Sequence, residues 1–319
     1  MGSPKPGHRR SLSEDEMVEL IRRTLGGGIE TAGLRDDAAS VAVPGGGSIV
    51  VSVDSVVDGV HVDLDLCSPA DVGWKAVMGA LSDLAAMGAR PLAALVALCA
   101  PESESGDGAL ALGVMAGVAE AAASAGCPVV GGDVSSSGRL VVTVTVIGTT
   151  DGEAPVARSG AAAGDVILVS GPCGRSAGGL RQLRAGTAPA GGLGAAYRRP
   201  VARLAEGLLI RQSGAHAMID VSDGLSLDLH RLADASDVGF HLTHIPIAEG
   251  ATLEEALGGG EDYELVMTMT AVDARRLTER LAQAGLGAPL RIGVITGDKN
   301  ERRLGDHELE RQGWQHHIG

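Results

Sequence analysis

The stretch from Asp71 to Pro91 constrains the fold more than any other part of this chain. Apolar residues recur in it at helical spacing and form one stripe, which consists of Val72, Ala76, Ala80, Leu84 and Met87. Asp83 lies within this small-residue helix, where a carboxylate is costly to desolvate unless a cation or hydrogen-bond donors meet it. For a single aspartate, a capping or ion-paired role is the simpler interpretation.

The arrangement around Asp83 recurs along the chain, and this repetition favours a functional role. Apolar segments run into four further acidic residues, Asp37, Asp54, Asp133 and Asp220, and glycine lies close to several of them. The short His and Cys spacings of a transition-metal site do not occur in the sequence. Oxygen ligands suit Mg²⁺, which keeps several waters and links carboxylates to phosphate oxygens. We therefore predict a site for several Mg²⁺ ions that serves a nucleoside triphosphate.

The sequence lacks the familiar phosphate-binding motifs. It has neither the Gly-Lys-Ser/Thr of a P-loop nor a convincing GxGxxG after a strand. Phosphate contacts would then come from backbone N–H groups in glycine turns such as Gly131-Gly132 and Gly171–Gly179. Arg158 would add a cationic clamp.

Length and charge narrow the class of protein. A chain of 319 residues can form two domains, and a net charge of −14 argues against a nucleic-acid or anionic-membrane partner. Four cysteines without paired spacing predict reduced thiols in a cytoplasmic protein, and the N-terminus has no apolar core typical of a signal peptide. Gly108–Gly126 reaches the length of a membrane span, but it is Gly/Ala-rich and carries Glu120, so we predict a buried or amphipathic core helix.

Helices and strands interleave, which predicts α/β or α+β layers in two domains, 1–155 and 156–319. Strands are predicted at 38–43, 49–53, 92–98, 140–148, 166–170, 265–270 and 291–295, near residue 240, and in a short segment before the acidic turn at 219–224. Helices are predicted from the capping box of Ser13 and Glu16 to Gly26, then at 71–91, 108–126, 201–212, 225–235 and 275–284. The segments 131–133, 171–180 and 186–200 are interpreted as turns or loops.

One motif points to a different class of enzyme. Gly174–Gly178 fits GxSxG, the nucleophile elbow of α/β-hydrolases, and histidines and aspartates follow it in the sequence. However, Gly171-Pro172-Cys173 interrupts the sharp junction between strand and elbow, and a hydrolase would leave the acidic segments unexplained. We regard a hydrolase as the weaker hypothesis.

Taken together, the motifs resemble the thiamine-monophosphate kinase family, in the superfamily of aminoimidazole ribonucleotide synthetase and selenophosphate synthetase. The matching pieces, in order, are RDDAA, SVDSVVDGVH, DVGWKAVMGALSDLAAMGA, VVGGD, ARSGA, GPCGRSAGGL, IDVSDGLSLDL and GGEDYEL. They extend from about residue 35 to residue 270, with Gly313-Trp314 added in the tail. Any one piece is weak evidence, but the ordered set is highly specific.

The resemblance assigns roles to individual residues. It implies that a cluster of Mg²⁺ ions is held by Asp37, Ser52, Asp54, Asp83, Asp133, Asp220 and Asp223, of which Asp54, Asp83 and Asp223 are expected to be catalytic. It implies that ATP is contacted by Gly132, Asp133, Arg158 and Ser222. It implies that thiamine phosphate is contacted by His61, Glu261 and Trp314.

The resemblance also implies two α/β domains, a homodimer joined through the N-terminal halves, and transfer of the γ-phosphoryl group of ATP to thiamine phosphate. The acceptor is already an ionised phosphate, so positioning and charge neutralisation by Mg²⁺ can suffice. The sequence departs from the family pattern at Arg35, Val53, Ser137 and Arg175. None of these departures removes a carboxylate, although Val53 replaces a threonine that could supply a hydroxyl ligand.

Two alternatives to the kinase stay open at this stage. A paralogue could use the same ATP site on another phosphorylated compound, and a non-catalytic relative could keep the fold and bind ligands. Intact carboxylates at the expected positions argue against the second. A selenophosphate synthetase is disfavoured because no cysteine precedes Cys67.

Overall fold

The computed structural model describes residues 12–25, 36–44, 47–102, 108–187 and 192–318. Its helices are α1 (Glu14–Leu25), α2 (Pro69–Ala86), α3 (Ala109–Ser124), α4 (Arg175–Arg184), α5 (Leu193–Arg198), α6 (Leu204–Gln212), α7 (Leu225–Ala235), α8 (Leu253–Gly258) and α9 (Ala271–Gln283). Its strands are β1 (Leu12–Ser13), β2 (Ala39–Ala42), β3 (Ser48–Val57), β4 (Arg90–Ala100), β5 (Val129–Ser136), β6 (Val141–Thr149), β7 (Val166–Val169), β8 (Ala217–Asp220), β9 (Gly239–Leu242), β10 (Leu265–Met269), β11 (Leu290–Thr296), β12 (Arg302–Leu304), β13 (His307–Glu308) and β14 (His317–Ile318). The departure at Arg35 and the helix stop at Gly26 lie outside the described residues.

The first sheet has five strands in the order β2-β3-β6-β4-β5, with β4 and β5 parallel and the other pairs antiparallel. Residues alternate between its faces, so every second residue of β6 is buried, as in Val142, Val144 and Val146. Helix α2 packs on this buried face. The opposite face is partly open to solvent, and Val53 on it is 62% exposed.

Helix α2 is the buried centre of the N-terminal half. It begins at a capping box in which the Ser68 hydroxyl accepts the backbone N–H of Asp71 while the Asp71 carboxylate accepts that of Ser68. Its partner α3 approaches so closely that a Cβ on Gly117 would lie 1.8 Å from the Ala70 carbonyl oxygen. Glycine is therefore required at this crossing.

The second sheet has seven strands in the order β13-β12-β9-β11-β7-β10-β8, and only the β9–β12 pair is parallel. The strands β7, β8 and β10 are buried along their whole length. The two sheets fall within residues 39–149 and 166–308, while the domain boundary between residues 155 and 156 stays a prediction. Over the described residues, no helix is long and apolar enough to cross a bilayer.

The predicted fold class is confirmed, and helix α7 has the predicted bounds. Four local predictions are wrong. Strand β3 continues to Val57, so Asp54 lies within a strand, and Gly131–Asp133 belongs to strand β5. Helix α4 begins inside the segment 171–180, and helix α5 lies inside the segment 186–200. In α4, glycine serves close packing: a Cβ on Gly179 would lie 2.1 Å from the Leu193 carbonyl oxygen.

Candidate functional site

Three aspartates from distant parts of the sequence form the centre of the candidate site. Asp37 precedes β2, Asp83 lies in the last turns of α2, and Asp220 ends β8. One carboxylate oxygen from each lies within 4.8 Å of the others. The alternating pattern of β3 directs Ser52 and Asp54 to the same side of the sheet, facing α2.

Serine hydroxyls are the hydrogen-bond partners of two members of this cluster. Ser52 Oγ donates to Asp83 Oδ2, and Ser82 Oγ donates to Asp220 Oδ2 over 2.5 Å. Asp54 approaches α2 at Gly79, where a Cβ would lie 2.8 Å from its Oδ2 atom. Helix α2 thus contributes the Asp83 carboxylate and the Ser82 hydroxyl, and Gly79 leaves the space that Asp54 occupies.

The electrostatics of the cluster favour binding of a cation. Burial raises the pKa of Asp83, and the charges of Asp220, Asp54 and Asp37 raise it further. The pKa of Asp220 is raised well above its ordinary value by burial and then by the charge of Asp37. Burial also raises the pKa of Asp54. Packed carboxylates that repel one another in this way are stabilised when a metal ion joins them.

Asp37 is tied on one side to Arg158, the residue predicted to clamp ATP. The Arg158 guanidinium donates to Asp37 Oδ1 from Nε at 3.1 Å and from Nη2 at 2.6 Å. The neighbouring Asp36 accepts the Arg158 backbone N–H at 3.2 Å. Burial, then the charge of Asp37, raises the pKa of Asp36 to about 6. Arg158 therefore lies at the edge of the carboxylate cluster.

These residues fit Mg²⁺. Asp37 Oδ2 is buried and has no hydrogen-bond partner among the described residues. The other oxygen of this carboxylate, Oδ1, accepts two hydrogen bonds from Arg158. The surrounding donor set is made of carboxylate and hydroxyl oxygens, which are the ligands that Mg²⁺ prefers. An unpartnered acceptor beside two other carboxylates is a position for a cation.

Asp223, a predicted metal ligand, and Ser222, a predicted ATP contact, lie in the loop between β8 and α7, which we call the acidic loop. The Asp228 carboxylate accepts the backbone N–H groups of Ser222, Asp223 and Gly224 at 2.9 to 3.1 Å, which fixes the loop. Arg231 donates to Asp223, and to Asp228 at 3.0 Å. Burial, then the charge of Asp223, raises the pKa of Asp228 to about 7.

The structure does not bring Asp133 to this cluster. The strand register pairs Asp133 with Ala97, which lies on the face of the sheet opposite Ser52 and Asp54. Its carboxylate accepts a hydrogen bond from Ser135 Oγ at 3.1 Å. Gly132 approaches the neighbouring strand, since a Cβ there would lie 1.9 Å from the Val96 carbonyl oxygen. Roles for Gly132 and Asp133 in binding metal or ATP stay predictions.

The three residues predicted to contact thiamine phosphate are connected through two further residues, Lys75 and His316. Lys75 Nζ donates to Glu261 Oε2 at 2.6 Å and to the His61 carbonyl oxygen at 3.2 Å. The His61 ring lies beside His316, with the two Nε2 atoms 3.3 Å apart, and the rings of His316 and Trp314 are 6.0 Å apart. The tail is fixed near the acidic loop because the Trp314 backbone N–H donates to the Asp223 carbonyl at 2.9 Å.

Several residues at the site escaped the sequence reasoning. Lys75 is the only basic residue of helix α2, and its charge was a usable signal, since a lysine is rarely buried without a partner. Asp36 and Asp228 lie beside predicted ligands but were not assigned roles. Arg231 and His316 carry no local pattern that would have distinguished them.

The alternative nucleophile elbow does not form. Ser176 is buried in the first turn of α4, and its Oγ lies 3.5 Å from Glu261 Oε2. Its backbone N–H donates to Asp262, which also accepts from Gly174. In the part of the chain that the structure describes, no histidine is hydrogen-bonded to Ser176, so the proton relay of a hydrolase is missing.

Comparison with known proteins places this geometry in a class. The family model for the AIR synthase related protein N-terminal domain matches residues 35–150. The family model for the corresponding C-terminal domain matches residues 162–305. The fold and the acidic site thus define a two-domain protein of the AIR synthase related class.

Relatives narrow the class to one family. The thiamine-monophosphate kinase of Mycobacterium tuberculosis is 41% identical over 244 residues, which cover 72% of each chain, and that of Bacillus subtilis is 32% identical over 96% of this chain and 99% of its own. A solved structure, "AaThiL complexed with AMPPCP and TMP", has a TM-score of 0.82 and 30% identity, and the match covers 96% of this chain and 97% of that one. The chain belongs to the thiamine-monophosphate kinase family and is a kinase.

Proposed function

We propose that this protein transfers the γ-phosphoryl group of ATP to thiamine phosphate and forms thiamine diphosphate. The observation that carries the proposal is the match, over 96% of the chain, to a structure described as a complex with AMPPCP and TMP. The acidic cluster and the group around Lys75 are the two parts of the chain that we assign to the phosphates and to the acceptor.

The acidic cluster is proposed to bind Mg²⁺ through Asp37, Asp83 and Asp220, with Ser52, Asp54 and Asp223 contributing further oxygens. Bound Mg²⁺ would neutralise charge on the phosphate oxygens. The unpartnered Asp37 Oδ2 supports a role as a ligand. Arg158, Ser222, Gly132 and Asp133 are proposed to contact ATP, and for Arg158 this places a cation beside the carboxylates that hold the metal.

The acceptor is proposed to lie against His61, Glu261 and Trp314. No general base is needed, because the phosphate of thiamine phosphate is ionised at neutral pH and can attack directly. Catalysis then rests on alignment of the two phosphates and on neutralisation of their charge. The carboxylates Asp54, Asp83 and Asp223 are the groups we expect to matter most for the rate.

The open face of the five-stranded sheet supports a further proposal, a homodimer formed through the N-terminal halves. Val53 and Leu95 lie on this face and are 62% and 38% exposed. The division into domains at residues 155 and 156 is part of the same proposal. The four cysteines are free thiols in the structure, in keeping with the proposed cytoplasmic location.

The direct test is incubation of the purified protein with ATP, Mg²⁺ and thiamine phosphate, followed by identification of the products. We expect thiamine diphosphate and ADP, with no turnover in excess chelator and none with free thiamine as acceptor. Full turnover in chelator would remove the metal-binding role of the aspartates. Faster turnover of free thiamine would refute the acceptor, and turnover of another phosphorylated compound alone would indicate a paralogue.

A further inference from the structure

Lys75 is a fully buried lysine in the middle of helix α2, and its side chain is 1% exposed. Its ammonium group has three partners. It donates to Glu261 Oε2 at 2.6 Å and to the His61 carbonyl at 3.2 Å, and it lies 4.1 Å from the centre of the Tyr197 ring. An ammonium group buried among these partners holds each of them in a fixed position.

The partners of Lys75 come from separate parts of the chain. His61 lies between β3 and α2, Tyr197 lies in α5, and Glu261 lies in the loop between α8 and β10. Lys75 therefore connects the N-terminal half to two elements of the C-terminal half. Two of these partners are residues that we assign to the acceptor.

Glu261 has a strained backbone, and its side chain is held by Lys75. Its backbone has a φ of +66°, a left-handed conformation that costs free energy in a residue other than glycine. Its backbone N–H donates to the Ser222 carbonyl at 2.7 Å, which joins its loop to the acidic loop. Lys75 holds Oε2, while in the described part of the structure no hydrogen bond reaches Oε1. The Glu261 side chain is 24% exposed, so Oε1 is the oxygen left for a ligand.

We propose that Lys75 is a positioning residue for the acceptor: it orients Glu261 so that Glu261 Oε1 can contact thiamine phosphate. Lys75 does not itself touch the acceptor. The proposal rests on the proposed function, because it concerns how the same site selects its substrate.

The test uses three variants of the full-length protein, Lys75→Met, Glu261→Gln and the double variant. Methionine keeps most of the length of the buried side chain, lacking only the terminal atom, and removes the charge. Lys299→Met is the matched control, since Lys299 pairs with Asp237 at the surface, where its side chain is 61% exposed. The KM values for thiamine phosphate and for ATP, the kcat and the melting temperature are measured for each, and binding of thiamine phosphate is measured by calorimetry.

We expect Lys75→Met to raise the KM and the Kd for thiamine phosphate by about tenfold or more, the scale of one lost charge-assisted hydrogen bond. The KM for ATP should stay within about twofold, since the ammonium has no contact with the acidic cluster. The double variant should bind thiamine phosphate as weakly as Glu261→Gln alone, because Lys75 acts through Glu261. Lys299→Met should match the wild type.

A purely structural role for Lys75 gives a different pattern. It predicts a lower melting temperature with an unchanged KM for thiamine phosphate in the folded fraction, and this result would overturn the proposal. If Lys75→Met does not fold, the neutral double variant is compared with Glu261→Gln: equal affinities for thiamine phosphate support the proposal, and a weaker affinity of the double variant overturns it. A wild-type protein that turns over no thiamine phosphate would overturn the proposed function, and this inference with it.

Discussion

Two aspartates of the acidic cluster are hydrogen-bonded to serine hydroxyls, and one oxygen of a third is unpartnered. A hydroxyl donor satisfies a carboxylate oxygen without neutralising its charge. The serines therefore leave the repulsion between the ionised carboxylates uncompensated, a cost that a bound cation would offset. The free energy of unfolding of the metal-free protein should reflect this cost, and two predictions follow at the level of single residues.

Asp83→Asn should lower kcat by at least about 10²-fold, because it removes one charge from a site that works by preorganised electrostatics. The melting temperature of the metal-free variant should not fall, since the change relieves repulsion from Asp220 and Asp54. Both quantities are measured on the same preparation. Asp237→Asn, at a surface position with a φ of +51° that suits asparagine, is the control and should change neither. A destabilised variant that keeps its turnover would show that Asp83 is only a structural residue.

The raised carboxyl pKa values should lower the stability of the metal-free protein as the pH rises from about 4 to 6. Burial raises the pKa of Asp36 to about 6, and the pKa values of Asp83 and Asp220 are also raised. Between the ordinary and the raised pKa values the folded protein binds more protons at these carboxyls than the unfolded chain does, so they lower the free energy of unfolding as the pH rises. Lowered carboxyl pKa values, such as that of Glu255, act below this range. Burial lowers the pKa values of His61 and His230, and these two groups oppose the effect just below pH 6.5.

Thermal melting in chelator across this pH range measures the effect. Added Mg²⁺ should raise the melting temperature more at pH 7.5 than at pH 5, because the ion competes with protons for the same carboxylates. A melting temperature that rises steadily with pH in chelator would contradict the raised pKa values.

At the scale of elements, hydrophobic periodicity predicted helices and strands correctly, whereas glycine did not reliably mark turns. The alternation in β6 and the helical pattern of α7 predicted those elements, because one buried face imposes the period on the sequence. Glycine was interpreted as a turn signal at 171–180, yet Gly178 and Gly179 are helical and allow α5 to approach α4. The sequence does not distinguish a glycine that bends the chain from one that makes room for a neighbour.

The site was predictable to the extent that its residues follow strands and helices with a clear period. Ser52 and Asp54 share a face with α2 because they are two residues apart in β3. Asp133 was not predictable in this way, since the register between β4 and β5 shifts between Ala94 and Leu95. Lys75 was missed because its partners are far away in the sequence.

Packing of α3 on α2 gives a prediction for these elements. Gly117→Ala should destabilise the protein by at least about 1–3 kcal/mol, because the added methyl group would overlap the Ala70 carbonyl of a buried helix. Urea or thermal unfolding measures the loss. The control is Ala116→Ser, which adds one heavy atom at the neighbouring exposed position and should have little effect. Equal stability of the two variants would mean that the helices can separate at low cost.

At the scale of the whole molecule, the site lies where the two halves meet. Helix α2 packs against β3 and β6 of the first sheet and also against β8 and α6 of the C-terminal half. The acidic cluster accordingly draws Asp37 and Asp83 from one half and Asp220 from the other. The faces of the first sheet have separate uses: one carries the site, and the other is the proposed surface for a second copy.

Leu95→Glu should convert the proposed dimer to a monomer, because a charge on the open face of the sheet would be buried without a partner at the interface. Sedimentation at micromolar concentration measures the change. Leu112→Glu is the matched control, since Leu112 lies on α3 and is 68% exposed. A wild-type protein that sediments as a monomer would refute the dimer.

Helix α2 has a consequence for how this protein can change over evolution. Lys75 and Asp83 are eight positions apart on it, which sets them about 12 Å apart along a rigid axis. One residue inserted between them would rotate one end of the helix by about 100° relative to the other. Either Lys75 or Asp83 would then point away from its partners. Length variation should therefore accumulate in surface loops and be excluded from this interval. Helix α2 fixes the distance between Lys75 and Asp83. A relative that binds a longer or shorter acceptor must therefore differ in the loops around this helix.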